Sequence, residues 1–334
     1  MSFPERFRPA LTWIQAHRNK LTALFTALVV GIAVAVIHGV VRDIAPGDIV
    51  GAMRAITLKQ ILLSLLLTAL SYVVLTGYDV LALDALGKPQ RYWQAALGSF
   101  SAYTFSHNLG FAPLTGAAAR WRAYRGTNLN SGDIARIVVI AGVTFWLGIF
   151  VMLGFALLLF PGALRVHDAS LSYPLQAGIG GAILLVMVGY LLACARGLGP
   201  IRIFGWLLPV PTLRQALLQF ALAATDIAIA SAALLVLLPP ETWFHYPDFL
   251  VAYVVAMVVA LITHAPGGIG VFEAVILVTL PEVDKPALVS ALILYRLIYY
   301  WLPLLLAFVL LAANEWRVWR RDQAVKDQER DGRE

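Results

Sequence analysis

The chain is poor in the residue types that carry most soluble chemistry. It has one cysteine, Cys194, in 334 residues. That excludes an internal disulfide, and no histidine, cysteine or carboxylate cluster at metal-ligand spacing surrounds it, so neither redox chemistry nor a metal is expected. Charged residues make up 13% of the chain, about half the share in an ordinary soluble domain. No nucleophile stands beside a base partner, and GGIG at 267–270 lacks the strand and lysine of a phosphate-binding loop. No cofactor and no chemistry of its own are therefore expected.

What is abundant is apolar sequence, at 60% of the residues. Runs free of charge, or holding a single charge, cover about 21–41, 61–78, 137–164, 169–195, 215–240 and 286–313. Each is long enough for the roughly 20 residues that cross a hydrocarbon core, so six full transmembrane helices are predicted. Residues 1–20 form a basic amphipathic leader with no small-residue cleavage pattern after the first run, so that run reads as an uncleaved anchor. The formal charge of +6 does not mark a nucleic-acid binder, because the basic residues sit in short loops beside the runs.

Two apolar segments do not fit that count: 92–125, broken at SHNLGFAPLTG, and 249–281, broken at THAPGGIG. If both turn back to the face they start from, Arg42, Arg54, Lys59, Arg165 and Lys285 are left on the far side and about 19 basic residues gather in the cytoplasm. If both cross, the split is about 13 to 11, which the positive-inside rule disfavours. Both are therefore read as re-entrant helical hairpins, with Pro113, Gly116, Pro266, Gly267, Gly268 and Gly270 as the structural breaks and both termini cytoplasmic.

The order span, span, hairpin, span then occurs twice, at about 21–164 and 169–313, with opposite starting faces. The expected fold is thus an all-α integral membrane protein built as an inverted repeat, a single transmembrane domain over 21–313 followed by a charged tail at 314–334. Faint echoes agree: YDVLALDAL around Asp79 with TDIAIASAAL around Asp226, and a charged residue seven after each proline, Arg120 and Glu273.

The stretches HNLGFAPLTGAAARWRAYR (107–125) and HAPGGIGVFEA (264–274) resemble the signatures of the lysylphosphatidylglycerol synthase/flippase transmembrane region. The resemblance runs from the first span to about Ala313. It implies a stand-alone, flippase-like protein of the bacterial inner membrane. The 21 residues after Ala313 cannot form the family's aminoacyl-transferase domain, so lipid translocation is carried over and the lysyltransferase reaction is not. The implied partner is a membrane phospholipid; the alternative is an accessory subunit that presents a lipid to a separate lipid-modifying enzyme.

Intramembrane ionisable residues are functional candidates by default. Glu273 falls on the first turn after the glycine break, where a helix dipole favours a carboxylate; a plain capping acid is the simpler reading. Arg120 suits a lipid phosphate, whereas Arg122 and Arg125 are explained by positive-inside anchoring. Asp226 and Arg296 lie deep in spans and are expected to pair with each other, or Arg296 with Glu273. Asp79 stands near the inner end of its span, within reach of water. His107 and His264 precede the breaks and read as hydrogen-bonded caps, and Asn108 as a partner for freed backbone groups. Tyr295, Tyr299, Tyr300 and Trp301 read as packing and interface anchors. Glu273, Arg120, Asp226 and Arg296 are expected to line a polar chamber between the hairpins, with Asp79, Asn108 and His264 as further substrate-binding candidates.

Overall fold

The computed structural model of the protein describes residues 31–39, 42, 44–160, 165–166, 169–170, 172–197, 199, 201–203, 206–208, 210–263 and 265–331. Helix α1 covers 31–39. It is followed by α2 (Pro46–Ala55), α3 (Leu58–Ala85), α4 (Tyr92–Leu109), α5 (Ala112–Ala123) and α6 (Ser131–Leu159). The second half holds α7 (Tyr173–Ala195), α8 (Leu213–Leu235), α9 (Tyr246–Ile262), α10 (Val271–Thr279), α11 (Lys285–Tyr295) and α12 (Leu302–Asp331). A π turn, Arg296–Trp301, joins α11 to α12. Two short antiparallel ribbons, Arg165–Val166 with Ala169–Ser170 and Ile201–Ile203 with Trp206–Leu208, occupy the loops around α7.

Among the described residues, five helices are long and apolar enough to cross a membrane: α3, α6, α7, α8 and the continuous Lys285–Arg321. The first apolar run, 21–41, lies mostly outside the described residues, as does the leader; its described part, α1, is helical. Helix starts are set chemically. Thr57 with Gln60, Asn130 with Asp133 and Thr212 with Gln215 form reciprocal caps at α3, α6 and α8, which satisfy two otherwise orphaned backbone donors each. The last helix continues unbroken through the charged segment to Asp331.

Helix α3 is amphipathic in the sense opposite to that of a soluble helix. Leu58, Leu62, Leu66, Leu70 and Val73 are exposed, while Gln60, Ser64, Thr68 and Ser71 are buried. Both sets recur at three- and four-residue steps, one on each face. A long exposed stripe of leucine on a 28-residue apolar helix is the pattern of a membrane helix that turns its polar face inward. The polar face packs on α8: Ser64 Oγ donates to the Ala233 carbonyl at 2.8 Å, and Gln60 Nε2 to those of Val236 and Leu238 at 3.1 and 3.0 Å. Small residues bring the next helix equally close; a Cβ on Gly148 of α6 would strike Ala223 of α8.

Both broken segments fold back on themselves. Helices α4 and α5 pack side by side, and the residues flanking the pair meet where Gln90 Nε2 donates to Asn128 Oδ1 at 3.0 Å. Helices α9 and α10 also pack together, and Leu280 after α10 shares a hydrophobic cluster with Trp243 before α9. The two pairs open toward opposite ends of the bundle. At one end lie Lys88 with Asp133 (2.6 Å), Arg122 with Glu315 (3.0 Å) and Gln215 with Asp84 (2.9 Å). At the other, Ser290 of α11 donates to the Ile49 carbonyl of α2 at 2.9 Å.

The first break falls within the expected SHNLGFAPLTG stretch, but not at Pro113 or Gly116. Gly110 (φ 70°) and Phe111 (φ 46°) make the turn, whereas Pro113 sits in the opening turn of α5 and Gly116 inside it. Proline fits there because its missing N–H is one of the orphans of a helix start. Gly116 instead permits close packing, since a Cβ would lie 2.8 Å from Ser106 Oγ of α4. The second break is at the expected residues: Pro266–Gly268 form a short 3-10 turn with Gly267 and Gly268 at φ 61°, and Gly270 follows at φ 83°.

Candidate functional site: two ion pairs and an unpaired carboxyl

The tips of the two hairpins meet. A Cβ on Gly267 would lie 2.7 Å from the Asn108 carbonyl oxygen and 3.2 Å from that of His107, so only glycine lets the backbones touch. Asn108 Nδ2 donates to Thr104 at 2.9 Å and to the Tyr300 carbonyl at 3.1 Å, which ties the first tip to the π turn.

On the second hairpin, Glu273 has two functions. One oxygen accepts the Gly270 N–H at 2.8 Å, capping α10, and the other accepts Arg296 Nε at 2.6 Å. Arg296 Nη1 donates to the Gly267 carbonyl at 2.6 Å, and its guanidinium lies over the Tyr300 ring at 4.4 Å. Its remaining nitrogen, Nη2, is buried without a hydrogen-bond partner. The side chains of Arg296 and Glu273 keep 13% and 17% exposure, so the pair is not sealed.

In the first half the pairing differs from expectation. Asp79 does not reach water; it is fully buried and accepts Arg120 through Nε and Nη2, the shortest contact 2.6 Å. Tyr124 donates to its second oxygen at 2.7 Å. Arg120 is buried as deeply and lies over Tyr103 at 5.6 Å. Its forked donors therefore face a carboxylate and are not free for a lipid phosphate.

Asp226 and Arg296 do not pair. Asp226 accepts Ser71 Oγ at 2.6 Å; Tyr299 shares that hydroxyl at 2.8 Å, and Tyr78 stands 3.5 Å from the other oxygen. The reason lies in the hairpin arms. Seven residues after its proline the first arm carries Arg120 and the second carries Glu273, so the acid of α3 meets a cation and the acid of α8 does not. His107 is not a hydrogen-bonded cap: its Nδ1 is buried without a partner, and its ring lies 6.1 Å from that of Tyr300. His264 is outside the described residues. Tyr295 and Tyr299 stack at 5.0 Å inside the core, while Trp301 is exposed.

The expected chamber holding Glu273, Arg120, Asp226 and Arg296 together is therefore replaced by three separate sites in packed protein: a sealed pair, a partly exposed pair and a lone carboxyl. Ser71, Tyr78 and Tyr124 were not legible as participants. The signal for Ser71 was present in the buried polar row Gln60, Ser64, Thr68, Ser71, which continues at helical spacing. Among the described residues no group of histidine, cysteine and carboxylate side chains could hold a metal.

Apolar surface outside, polar groups inside and five spanning helices define a multi-pass helical membrane protein. The chain is 32% identical over 282 residues to the uncharacterized protein slr0712 of Synechocystis sp., covering 84% of this chain and 87% of that one, and it belongs to the same family. It is also 29% identical over 247 residues to the inner membrane protein YbhN of Escherichia coli, covering 73% and 76% of the two chains. No family model matches.

Proposed function

We propose that the protein is a lipid transporter of the bacterial inner membrane, flippase-like and without chemistry of its own, which moves an anionic or aminoacylated phospholipid between leaflets. The observation that carries this reading is Arg296 Nη2, a buried guanidinium donor left unpartnered beside the contact of two broken hairpins. Such a donor matches a phosphate oxygen, and the pair it belongs to is not sealed against a headgroup.

Arm lengths support re-entrant hairpins. Helix α9 has 17 residues and α10 has 9, about 26 and 14 Å at 1.5 Å per residue, against a core of roughly 30 Å. With the first run added, six spans and two hairpins form an inverted repeat, the architecture of many secondary transporters. The end bearing Lys88, Arg122, Arg136 and Arg317 then faces the cytoplasm, together with both termini.

Proteoliposomes with a fluorescent phosphatidylglycerol or lysylphosphatidylglycerol in one leaflet test the reading. The native protein should speed movement between leaflets, and Glu273→Gln should not; equal rates for both proteins and for empty liposomes would remove it. In a deletion strain, normal amounts of lipid on the wrong leaflet fit transport. Loss of the lipid itself would instead favour a subunit that presents lipid to a separate lipid-modifying enzyme.

A further inference from the structure

Four buried or nearly buried carboxylates stand in the described bundle, and three have a cation: Asp79 has Arg120, Asp133 has Lys88, and Glu273 has Arg296. Asp226, on the fourteenth residue of the 23-residue α8, forms no ion pair among the described residues. Only 4% of its surface is exposed. An ionised carboxylate offers about four lone-pair positions to donors. Asp79 receives Nε, Nη2 and a tyrosine hydroxyl. Asp226 receives one good donor, Ser71 at 2.6 Å, and Tyr78 at 3.5 Å, the limit of a hydrogen bond.

Among the described residues, the surroundings offer no other source of positive charge. Tyr72 and Tyr78 of α3, Tyr103 of α4, Tyr253 of α9 and Tyr299 of the π turn are the titratable groups that act on it. Farther along α8, Tyr295 of α11 donates to the Ala230 carbonyl, and Tyr190 of α7 and Thr144 of α6 both engage Gln219. Arg120 and Arg296 are held by their own acids. A buried charge with so few partners is far costlier than a neutral acid.

We propose that Asp226 is a proton-binding site, occupied in this conformation, with the proton on the oxygen that faces Tyr78. The geometry selects a proton over a metal cation. The oxygens touch one another at hydrogen-bond distance, 2.6 Å from Asp226 to Ser71 and 2.8 Å from Ser71 to Tyr299, and do not form an open ring around an ion. The hydroxyl pair leads from Asp226 toward the hairpin contact, where the Tyr299 ring stacks 6.4 Å from that of His107, whose Nδ1 is free to accept. The proton is taken from and returned to water, and no bond between heavy atoms changes. Where the transport reading holds, this proton is the coupling ion.

The full chain in lipid vesicles, titrated from neutral to strongly alkaline pH by infrared difference spectroscopy, tests the site without reference to transport. A carboxylic C=O band should be present at neutral pH, fade on alkalinisation, be missing from Asp226→Asn and persist in Glu273→Gln. Ser71→Ala should move the band without abolishing it, a readout that stands even if Asp226→Asn does not fold. No difference from Asp226→Asn at neutral pH, a band that survives every pH, or its removal by sodium at fixed pH would each overturn the proposal. In proteoliposomes, an imposed pH gradient should change lipid movement several-fold for the native chain and not for Asp226→Asn. If neither chain moves lipid, the transport reading fails while the infrared result still decides the proton site.

Discussion

The two halves solve the problem of a charge inside a membrane protein differently. In the first, Asp79 and Arg120 share a bidentate contact, add Tyr124 and leave side-chain exposures of 0% and 5%. In the second, Glu273 and Arg296 meet through a single 2.6 Å contact, keep 17% and 13%, and leave one guanidinium nitrogen unsatisfied. A sealed, bidentate pair fixes a structure; a partly exposed pair with an unsatisfied donor has a hydrogen bond left to give. Equivalent positions after the two prolines thus hold a sealed ion pair in one half and a partly exposed one in the other.

The largest expected effect lies on the sealed pair. Asp79→Ala should destabilise the protein by about 3–5 kcal/mol, because Arg120 is left buried and unpaired, measured as a fall in thermal midpoint in detergent. The double variant Asp79→Leu with Arg120→Met should recover most of that loss; no recovery would mean that the charges do more than offset each other. Glu273→Gln should cost less, roughly 1.5–3 kcal/mol for a hydrogen bond to a charged group, yet remove lipid movement entirely. If stability fell more for Glu273→Gln than for Asp79→Ala, the division between the halves would be wrong. Gly267→Ala should cost about 1–3 kcal/mol by overpacking against the Asn108 carbonyl 2.7 Å away, and should separate the hairpin tips in cross-linking between introduced cysteines. Arg122→Ala should change stability by under about 1 kcal/mol, since that pair is exposed at 63% and 35%.

How much of this was legible follows from the range of each force. The spans of α3, α6, α7 and α8 and the second break are local matters of hydropathy, proline and glycine, and they stand at the expected residues. The short helix α2, the π turn and the two ribbons carry no comparable local signature. Within its expected stretch the first break sits at Gly110 and Phe111, not at Pro113 and Gly116, because a proline also fits the opening turn of a helix. Pairing was the least legible. Asp79 and Arg120 are 41 residues apart and Arg296 and Glu273 are 23, and composition places each at membrane depth without saying which cation faces which acid.

The π turn at Arg296–Trp301 has a mechanical meaning for everything after it. Such a turn inserts one residue into an α-helical path, so each side chain of α12 is turned by about 100° from where an uninterrupted helix would set it. That azimuth lets Phe308 meet Phe105 at 4.8 Å and Asn314 reach the Ala123 carbonyl at 3.3 Å. Excising a single residue from 297–300 would swivel the whole outgoing rod and point those contacts into oil.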